Sequence, residues 1–331
     1  MRIMGKYPNT RLRRVRNSKW MRNLISENQL SSDDLILPIF VTEGKNIIEK
    51  IKSMEGVFRY SVDKLETVMK KVKKNKIPMI ALFPHISDKK KDKYGSEALN
   101  ENNLICKSIR LIKNKFPNIG VMCDVALDPY TSHGHDGVLI KDKIDNDETI
   151  KILVKQSLLQ AKMGCDVIAP SDMMDGRVGI IRKSLDKNNF KDVCILSYSA
   201  KYASHFYGPF RDAVGSKDNL KFDKKTYQMD SRNSNEAYRE IGLDIKEGAD
   251  IVMIKPGLPY LDIINNIKNN FKIPVFVYQV SGEYSLLKNG VKNKIIKEEA
   301  IIESLISFKR AGASAIITYF ALDIAEKIKK N

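Results

Sequence analysis

Two lysines stand where an ammonium group is costly to place. Lys255 closes the apolar run Ile251-Val252-Met253-Ile254 and precedes Pro256-Gly257, and Lys201 follows Cys194-Ile195-Leu196-Ser197-Tyr198-Ser199-Ala200. Both runs read as buried strands, so each lysine sits at a strand exit, where a charge loses hydration. If both amines face one pocket, burial and like charge each disfavour protonation and leave a free amine near neutral pH. Such an amine adds to a ketone, expels water and leaves an imine, an electron sink for carbon–carbon and carbon–nitrogen bond chemistry. The plainer reading is that each lysine pairs with a carboxylate inside the core.

The elements that must hold these lysines recur with a regular rhythm. Continuous apolar runs bounded by turn residues occupy 35–41, 79–83, 119–125, 166–169, 194–198, 251–254, 275–280 and 315–319. Continuous rather than alternating hydrophobicity is the mark of strands covered on both faces. Helical periodicity fills most intervals, over 63–74, 101–116, 147–163, 235–247 and 298–311. Gly164, Gly248 and Gly312 follow three of these helices as left-handed caps. Alternation alone also suits a doubly wound sheet, but the dinucleotide glycine fingerprint is missing after the first strand. Eight strands predict an α/β fold of the (β/α)8 TIM-barrel class, with its chemistry at the C-terminal ends of the strands.

Two stretches break the rhythm: 128–146 after the third strand and 201–234 after the fifth. The second carries Tyr202, His205, Tyr207, Arg211, Lys217, Lys224 and Gln228 and is predicted to be an active-site lid. We divide the chain into an arm, 1–30, and a catalytic barrel, 31–331, with the lid at about 201–234.

The chain of 331 residues carries 57 Lys and Arg against 40 Asp and Glu, a formal charge of +17. The lysines are dispersed among acids, so a basic surface rather than a nucleic-acid footprint is expected. The run Arg11-Leu12-Arg13-Arg14-Val15-Arg16 is read as a contact surface on the arm. Cys106, Cys123, Cys165 and Cys194 are far apart, and three lie in or beside apolar runs, as small hydrophobes in a reducing compartment do. No run approaches the roughly 20 apolar residues of a membrane span. The expectation is a cytoplasmic enzyme without membrane or nucleic-acid partners.

The motifs around these positions are more specific. Ser197-Tyr198-Ser199-Ala200-Lys201-Tyr202-Ala203-Ser204, Phe206-Tyr207-Gly208-Pro209-Phe210-Arg211-Asp212-Ala213 and Val252-Met253-Ile254-Lys255-Pro256 closely resemble the porphobilinogen synthase (5-aminolevulinate dehydratase) family. So do Asp124-Val125-Ala126-Leu127-Asp128-Pro129-Tyr130, the stretch from Ala169 to Val178, and Tyr278-Gln279-Val280-Ser281-Gly282-Glu283-Tyr284. The resemblance runs in order along the whole chain. It implies condensation of two 5-aminolevulinate molecules to porphobilinogen with loss of two waters, an early step of tetrapyrrole (haem) synthesis.

By the family pattern, Lys255 holds the substrate that supplies the propionate side and Lys201 the one that supplies the acetate side. Arg211 and Lys224, with Gln228 nearby, match the clamp for the acetate-side carboxylate; Ser281 and Tyr319 match the hydroxyl donors for the propionate side. Ser171 and Tyr207 are added as substrate contacts, and Asp124 and Asp172 as groups that orient amines or waters.

Zinc-using members place three cysteines where this chain has Ala126, Asp128 and Asp136. Carboxylates suit Mg2+ or no metal, whereas tightly held zinc favours thiolates or imidazoles, so no catalytic zinc is expected. His133 and His135 keep a zinc alternative open. The family's allosteric Mg2+ is matched by Glu240 in Tyr238-Arg239-Glu240, and Asp128 and Asp136 are secondary metal candidates. Family members with this site assemble through their arms into large homo-oligomers, which implies an octamer contacted through Arg11–Arg16 and Trp20. The rival readings are a one-lysine Schiff-base aldolase and a basic nucleic-acid-binding protein.

Overall fold

The computed structural model describes residues 5–215 and 223–329. Twelve strands are present among them: β1 (Leu35–Thr42), β2 (Ile48–Lys50), β3 (Phe58–Ser61), β4 (Met79–His85), β5 (Gly120–Val125), β6 (Val138–Ile140), β7 (Lys143–Asp145), β8 (Val167–Pro170), β9 (Cys194–Lys201), β10 (Ile251–Lys255), β11 (Val275–Gln279) and β12 (Ala315–Thr318). The helices are α1 (Lys19–Leu24), α2 (Leu65–Lys74), α3 (Leu104–Lys115), α4 (Asn146–Lys162), α5 (Arg177–Lys187), α6 (Gly208–Ala213), α7 (Asn235–Glu247), α8 (Leu261–Asn270), α9 (Ser281–Lys292), α10 (Glu299–Ala311) and α11 (Ala321–Ile328).

Eight strands run parallel in the order β1, β4, β5, β8, β9, β10, β11, β12, and β12 pairs back onto β1. The closed barrel is therefore the one expected, and each of its strands overlaps an apolar run read from the sequence. All eight residues of β1 are buried, as a strand enclosed by barrel interior and helices requires. The helices outside present one apolar stripe inward. On α2 this is Leu65, Val68, Met69 and Val72, at the spacing of one helical face, with Lys71, Lys73 and Lys74 in the last turn complementing the helix dipole. Gly164, Gly248 and Gly312 have positive φ, as the caps required.

Four short strands were not foreseen. β6 and β7 form an antiparallel hairpin within the first insertion. β3 extends the barrel sheet beside the C-terminal end of β1, pairing Phe40 with Arg59 and Thr42 with Ser61, and β2 pairs antiparallel with β3. With three or four residues each, they are too short to show a period.

The strand ends matter more. β9 runs on to Lys201, three residues past its apolar run, because its pairing with β10 continues through Ala200 and Lys201. Its register with β10 shifts: Val252 pairs with Ser197, but Ile254 pairs with Ala200 and Lys255 with Lys201. This bulge inserts one residue on β9, and since side chains alternate faces, that residue decides what stands beside Lys255. Without it, Ala200 would.

Of the lid, residues 202–215 and 223–234 are described and include α6. Lys217 lies outside the described residues. The described part of the arm holds a short turn, Leu12–Arg16, and α1, neither with a buried residue.

Candidate active site

Lys201 and Lys255 end neighbouring strands as direct register partners, so their side chains share one face of the sheet at the barrel mouth. Each is only 6% exposed. They line a narrow chamber, with about 30 Å³ of free space, together with Asp124, Asp128, Ser171, Tyr207, Phe210, Arg211, Lys224 and Gln228. That is far below the roughly 300–1,000 Å³ usual for ligand pockets, so side chains around it must give way before a substrate enters. Nine residues singled out in the sequence thus converge on one space: the two lysines, Arg211, Lys224, Gln228, Asp124, Asp128, Ser171 and Tyr207.

The two lysines have different surroundings. The Lys255 Nζ is boxed by rings, with the centroids of Tyr278 at 4.6 Å, Tyr198 and Phe210 at 5.1 Å and Tyr207 at 5.3 Å. No hydrogen bond or ion pair to this ammonium is found among the described residues. Burial, followed by the charge of Lys201, brings its pKa down to about 7. Rings attract a cation, but far more weakly than water solvates one, so the box leaves the free amine competitive. Lys201 instead donates to the Ser171 carbonyl and lies 3.4 Å from Asp136 Oδ2. The depression expected of such a pair is therefore found at Lys255, whereas Lys201 has the carboxylate partner of the plainer reading.

Asp136 is the hub that joins Lys201, Lys224 and Gln228. Besides Lys201 it takes an ion pair from Lys224 at 3.0 Å and a hydrogen bond from Gln228 at 3.4 Å. Burial alone would raise its pKa, but Lys201 and Lys224 hold it below the ordinary carboxylate range. Asp128 pairs with Lys224 at 3.3 Å, and there burial prevails, lifting its pKa to about 6 against the pull of Lys224. The two aspartates read as secondary metal candidates thus answer ammonium groups. Burial also raises Asp124, whose enclosed Oδ1 has no hydrogen-bond partner among the described residues.

Three expected contacts stand back from the chamber. Ser281 Oγ accepts the Phe210 N–H at 2.9 Å and donates to the Phe206 carbonyl at 3.4 Å. The Tyr319 hydroxyl bonds that of Tyr278 at 3.0 Å, so Tyr319 lies behind the ring that faces Lys255. Asp172 accepts the Met174 N–H and lies 3.5 Å from Arg177 Nε, and burial brings its pKa up to about 6 against the field of Arg177. Tyr207 turns its ring to Lys255 and its hydroxyl to the Tyr202 and Lys255 carbonyls, at 2.8 and 3.2 Å.

Some supporting residues escaped the sequence reading. Glu283, buried at the start of α9, accepts N–H groups from Val280 at 2.6 Å, Leu258 at 2.6 Å and Gly257 at 3.2 Å. It ties the segment after Lys255 to the segment before α9. The buried Arg177 bonds Ser197, the Tyr198 and Met174 carbonyls and Asp244, joining α5 and α7 to the strand that carries Lys201. An arginine or glutamate in a polar turn gives no sequence signal of burial. The aromatic box was legible in part, since Tyr198 and Tyr278 sit inside apolar runs.

Glu240, on α7, lines a separate and larger cleft with Asp175 and Glu236; Gln228 borders both spaces. Burial raises the Glu240 pKa against the field of Arg177. A carboxylate that faces an open cleft beside other acids has the donor chemistry for a Mg2+ ion whose remaining ligands would be water. Among the described residues no group of three or more His, Cys, Asp or Glu side chains is arranged to hold a metal. His135 Nδ1 bonds the Tyr227 hydroxyl at 3.1 Å and His133 Nε2 the Lys93 carbonyl at 3.2 Å, while Cys123 is buried in the barrel wall.

Fold and chamber define a class, the α/β-barrel enzymes whose reactive groups stand at the exits of neighbouring strands. The family model for delta-aminolevulinic acid dehydratase matches residues 9–327. The chain is 54% identical over 320 residues to delta-aminolevulinic acid dehydratase of Bradyrhizobium diazoefficiens, covering 96% of this chain and 91% of that one. To the Methanothermus sociabilis dehydratase it is 52% identical over 323 residues, covering 98% and 100%. Its structure is similar to delta-aminolevulinic acid dehydratase (porphobilinogen synthase) from Toxoplasma gondii ME49 in complex with the reaction product porphobilinogen. The TM-score is 0.95 at 44% identity, covering 97% and 92% of the two chains. The chain belongs to the delta-aminolevulinic acid dehydratase family, the one its motifs resemble.

Proposed function

We propose that this chamber condenses two molecules of 5-aminolevulinate to porphobilinogen, with Lys255 and Lys201 each holding one as a Schiff base. The observation that carries the reading is the register pairing of two buried lysines, one of them with a free amine at hand near neutral pH. Family membership supplies the substrate and the product.

Each amine adds to the ketone carbon of its substrate, and the carbonyl oxygen leaves as water, giving two waters for two imines. A carbon–carbon bond and a carbon–nitrogen bond between the substrates then replace the two bonds to lysine. Both amines return free, and loss of ring protons makes the pyrrole aromatic.

In this reading Lys255 takes the propionate-side substrate, whose uncharged portion suits the aromatic box. Lys201 takes the acetate-side substrate, whose carboxylate meets Arg211, Lys224 and Gln228. To do so it competes with Asp128 and Asp136 for Lys224. Ser281 and Tyr319 serve the propionate-side carboxylate once Phe210 and Tyr278 yield to the substrate. Asp124 and Ser171 orient the amine beside Lys201, with Tyr207 walling Lys255 and Asp172 acting through Arg177.

Mg2+ belongs at Glu240, outside the chamber, where it would neutralise acidic charge and act on α7. The donor set suits zinc poorly, because the imidazoles of His133 and His135 are engaged and no thiolate faces them. The exposed arm suits docking on a second copy of the chain, in an octameric assembly. No helix among the described residues is long and apolar enough to cross a membrane; the scattered, unpaired cysteines suit a cytoplasmic enzyme.

The test is turnover by the purified chain. One porphobilinogen should form per two 5-aminolevulinate consumed, a chelator should lower the rate, and Mg2+ should restore it where Zn2+ does not. Restoration by Zn2+ alone would return His133, His135 and the two aspartates to the metal.

A further inference from the structure

The hairpin β2–β3 is an addition to the barrel, and its inner strand carries a buried cation pointed at the lid. Arg59, 8% exposed, donates from Nε to the Ala213 carbonyl and from Nη2 to the Asp212 carbonyl, both at 2.7 Å. Its Nη1 lies 3.1 Å from the exposed carboxylate of Glu49 on β2. Lys91 adds a third donor at the same end, to the Gly215 carbonyl at 2.9 Å, and the Ser53 hydroxyl meets the Asp212 carboxylate. These groups collect on the C-terminal end of α6, whose last carbonyls no intrahelical N–H can satisfy and whose dipole end is negative.

The other end of α6 is fixed by different means. Ser281 takes the Phe210 N–H, and Gly282 lets the Phe206 backbone lie against it: a Cβ there would stand 2.4 Å from the Phe206 oxygen. Between these two anchors α6 carries Phe210, whose ring closes the Lys255 box, and Arg211, which lines the chamber. A helix of six residues has too few internal hydrogen bonds to hold its own geometry. Its place over the barrel mouth therefore depends on its ends and on the packing of the Phe210 ring against Phe40 and Phe83.

We infer that Arg59, seconded by Lys91, is a positioning residue for the reaction: it pins the C-terminal end of α6 and thereby sets Phe210 and Arg211 over the two lysines. The β2–β3 extension is the bracket that holds this pin. Arg59 touches no substrate. Its removal frees the Ala213 carbonyl, leaves the Asp212 carbonyl with backbone N–H donors alone, that of Gly215 among them, and lets α6 shift. Arg211 then meets the substrate carboxylate less well, a loss of binding that appears in KM, and a displacement near 1 Å in a positioned group can cost about 100-fold.

The inference rests on the two-substrate reading above, and the experiment separates the two. Wild type, Arg59→Met and Arg59→Lys are compared in steady-state turnover of 5-aminolevulinate, in borohydride trapping of Lys255, and in amide hydrogen exchange. Arg59→Met should keep its trapping on Lys255, because that lysine is held by β10, while KM rises about 10-fold to 100-fold. Exchange should quicken at 210–214 and not in the barrel strands. Arg59→Lys, with one donor point in place of two, should recover part of the loss. A KM like that of wild type, with activity lost only in proportion to unfolded protein, or exchange unchanged at 210–214, would overturn the inference. Failure of wild type to turn over or to be trapped would instead remove the reading beneath it. If Arg59→Met does not fold, Lys91→Met is put to the same measurements. A rise in KM with quickened exchange at 210–214 supports the pin, and an unchanged KM refutes it.

Discussion

At the scale of single residues, the chamber separates two amines that are chemically alike. Lys255 has rings around it and a pKa near 7; Lys201 has Asp136 and a carbonyl. On the proposed reading, the amine in the box is the one that attacks first. Only the neutral amine adds to a ketone, and below about pH 7 Lys255 is increasingly protonated. Thus kcat/KM for 5-aminolevulinate should climb through about pH 7 as pH rises and level off above it. Tyr278→Leu removes one wall of the box and should move that rise; a rise that stays in place would show that another group governs it. The sequence disclosed both lysines because a charge ending an apolar run has few structural uses. It could not disclose that Asp136 would bridge Lys201 and Lys224, since an aspartate in a Gly- and His-containing loop looks like any solvated turn residue.

At the scale of elements, parity and anchoring decide the site. The bulge on β9 sets Lys201 rather than Ala200 beside Lys255. Glu283 ties the segment after Lys255 to the start of α9 by three backbone N–H bonds. Removing that buried acceptor leaves three donors without a partner, each costing about 1–3 kcal/mol if water does not replace it. Glu283→Ala should therefore lower stability by at least one such increment in a urea titration, and Glu283→Gln, which keeps a carbonyl acceptor, by less. Equal losses would assign the effect to packing rather than to the bonds. The barrel strands and the helices α2, α3, α4, α7 and α10 were legible because each has a period or an unbroken apolar run, and α7 matches its forecast residue for residue at 235–247, whereas α5, α8, α9 and α11 were not read. The β2–β3 hairpin and the bulge were not. A strand of three residues has no period, and a register shift depends on the partner strand.

At the scale of the molecule, the barrel is a finished unit and the arm is not. Trp20 is 66% exposed, and Tyr7, Leu12 and Leu24 are exposed as well, so the arm offers apolar surface that the barrel does not cover. A chain lacking residues 1–30 should therefore sediment as a smaller species than the full chain; an unchanged size would place the oligomer contacts elsewhere. The resemblance of the motifs foretold the family, and the alternation of strands and helices foretold the barrel. What neither could supply is the chamber's division into an aromatic half and a charged half, which arises only when six or more segments meet at one end of the barrel. The central claim is that division at work, with Lys255 the first covalent anchor. Its most direct test is reduction by borohydride in the presence of 5-aminolevulinate, followed by peptide mass spectrometry. The account predicts a substrate adduct on Lys255, retained in Lys201→Met and absent from Lys255→Met; an adduct on another residue, or none, would contradict it.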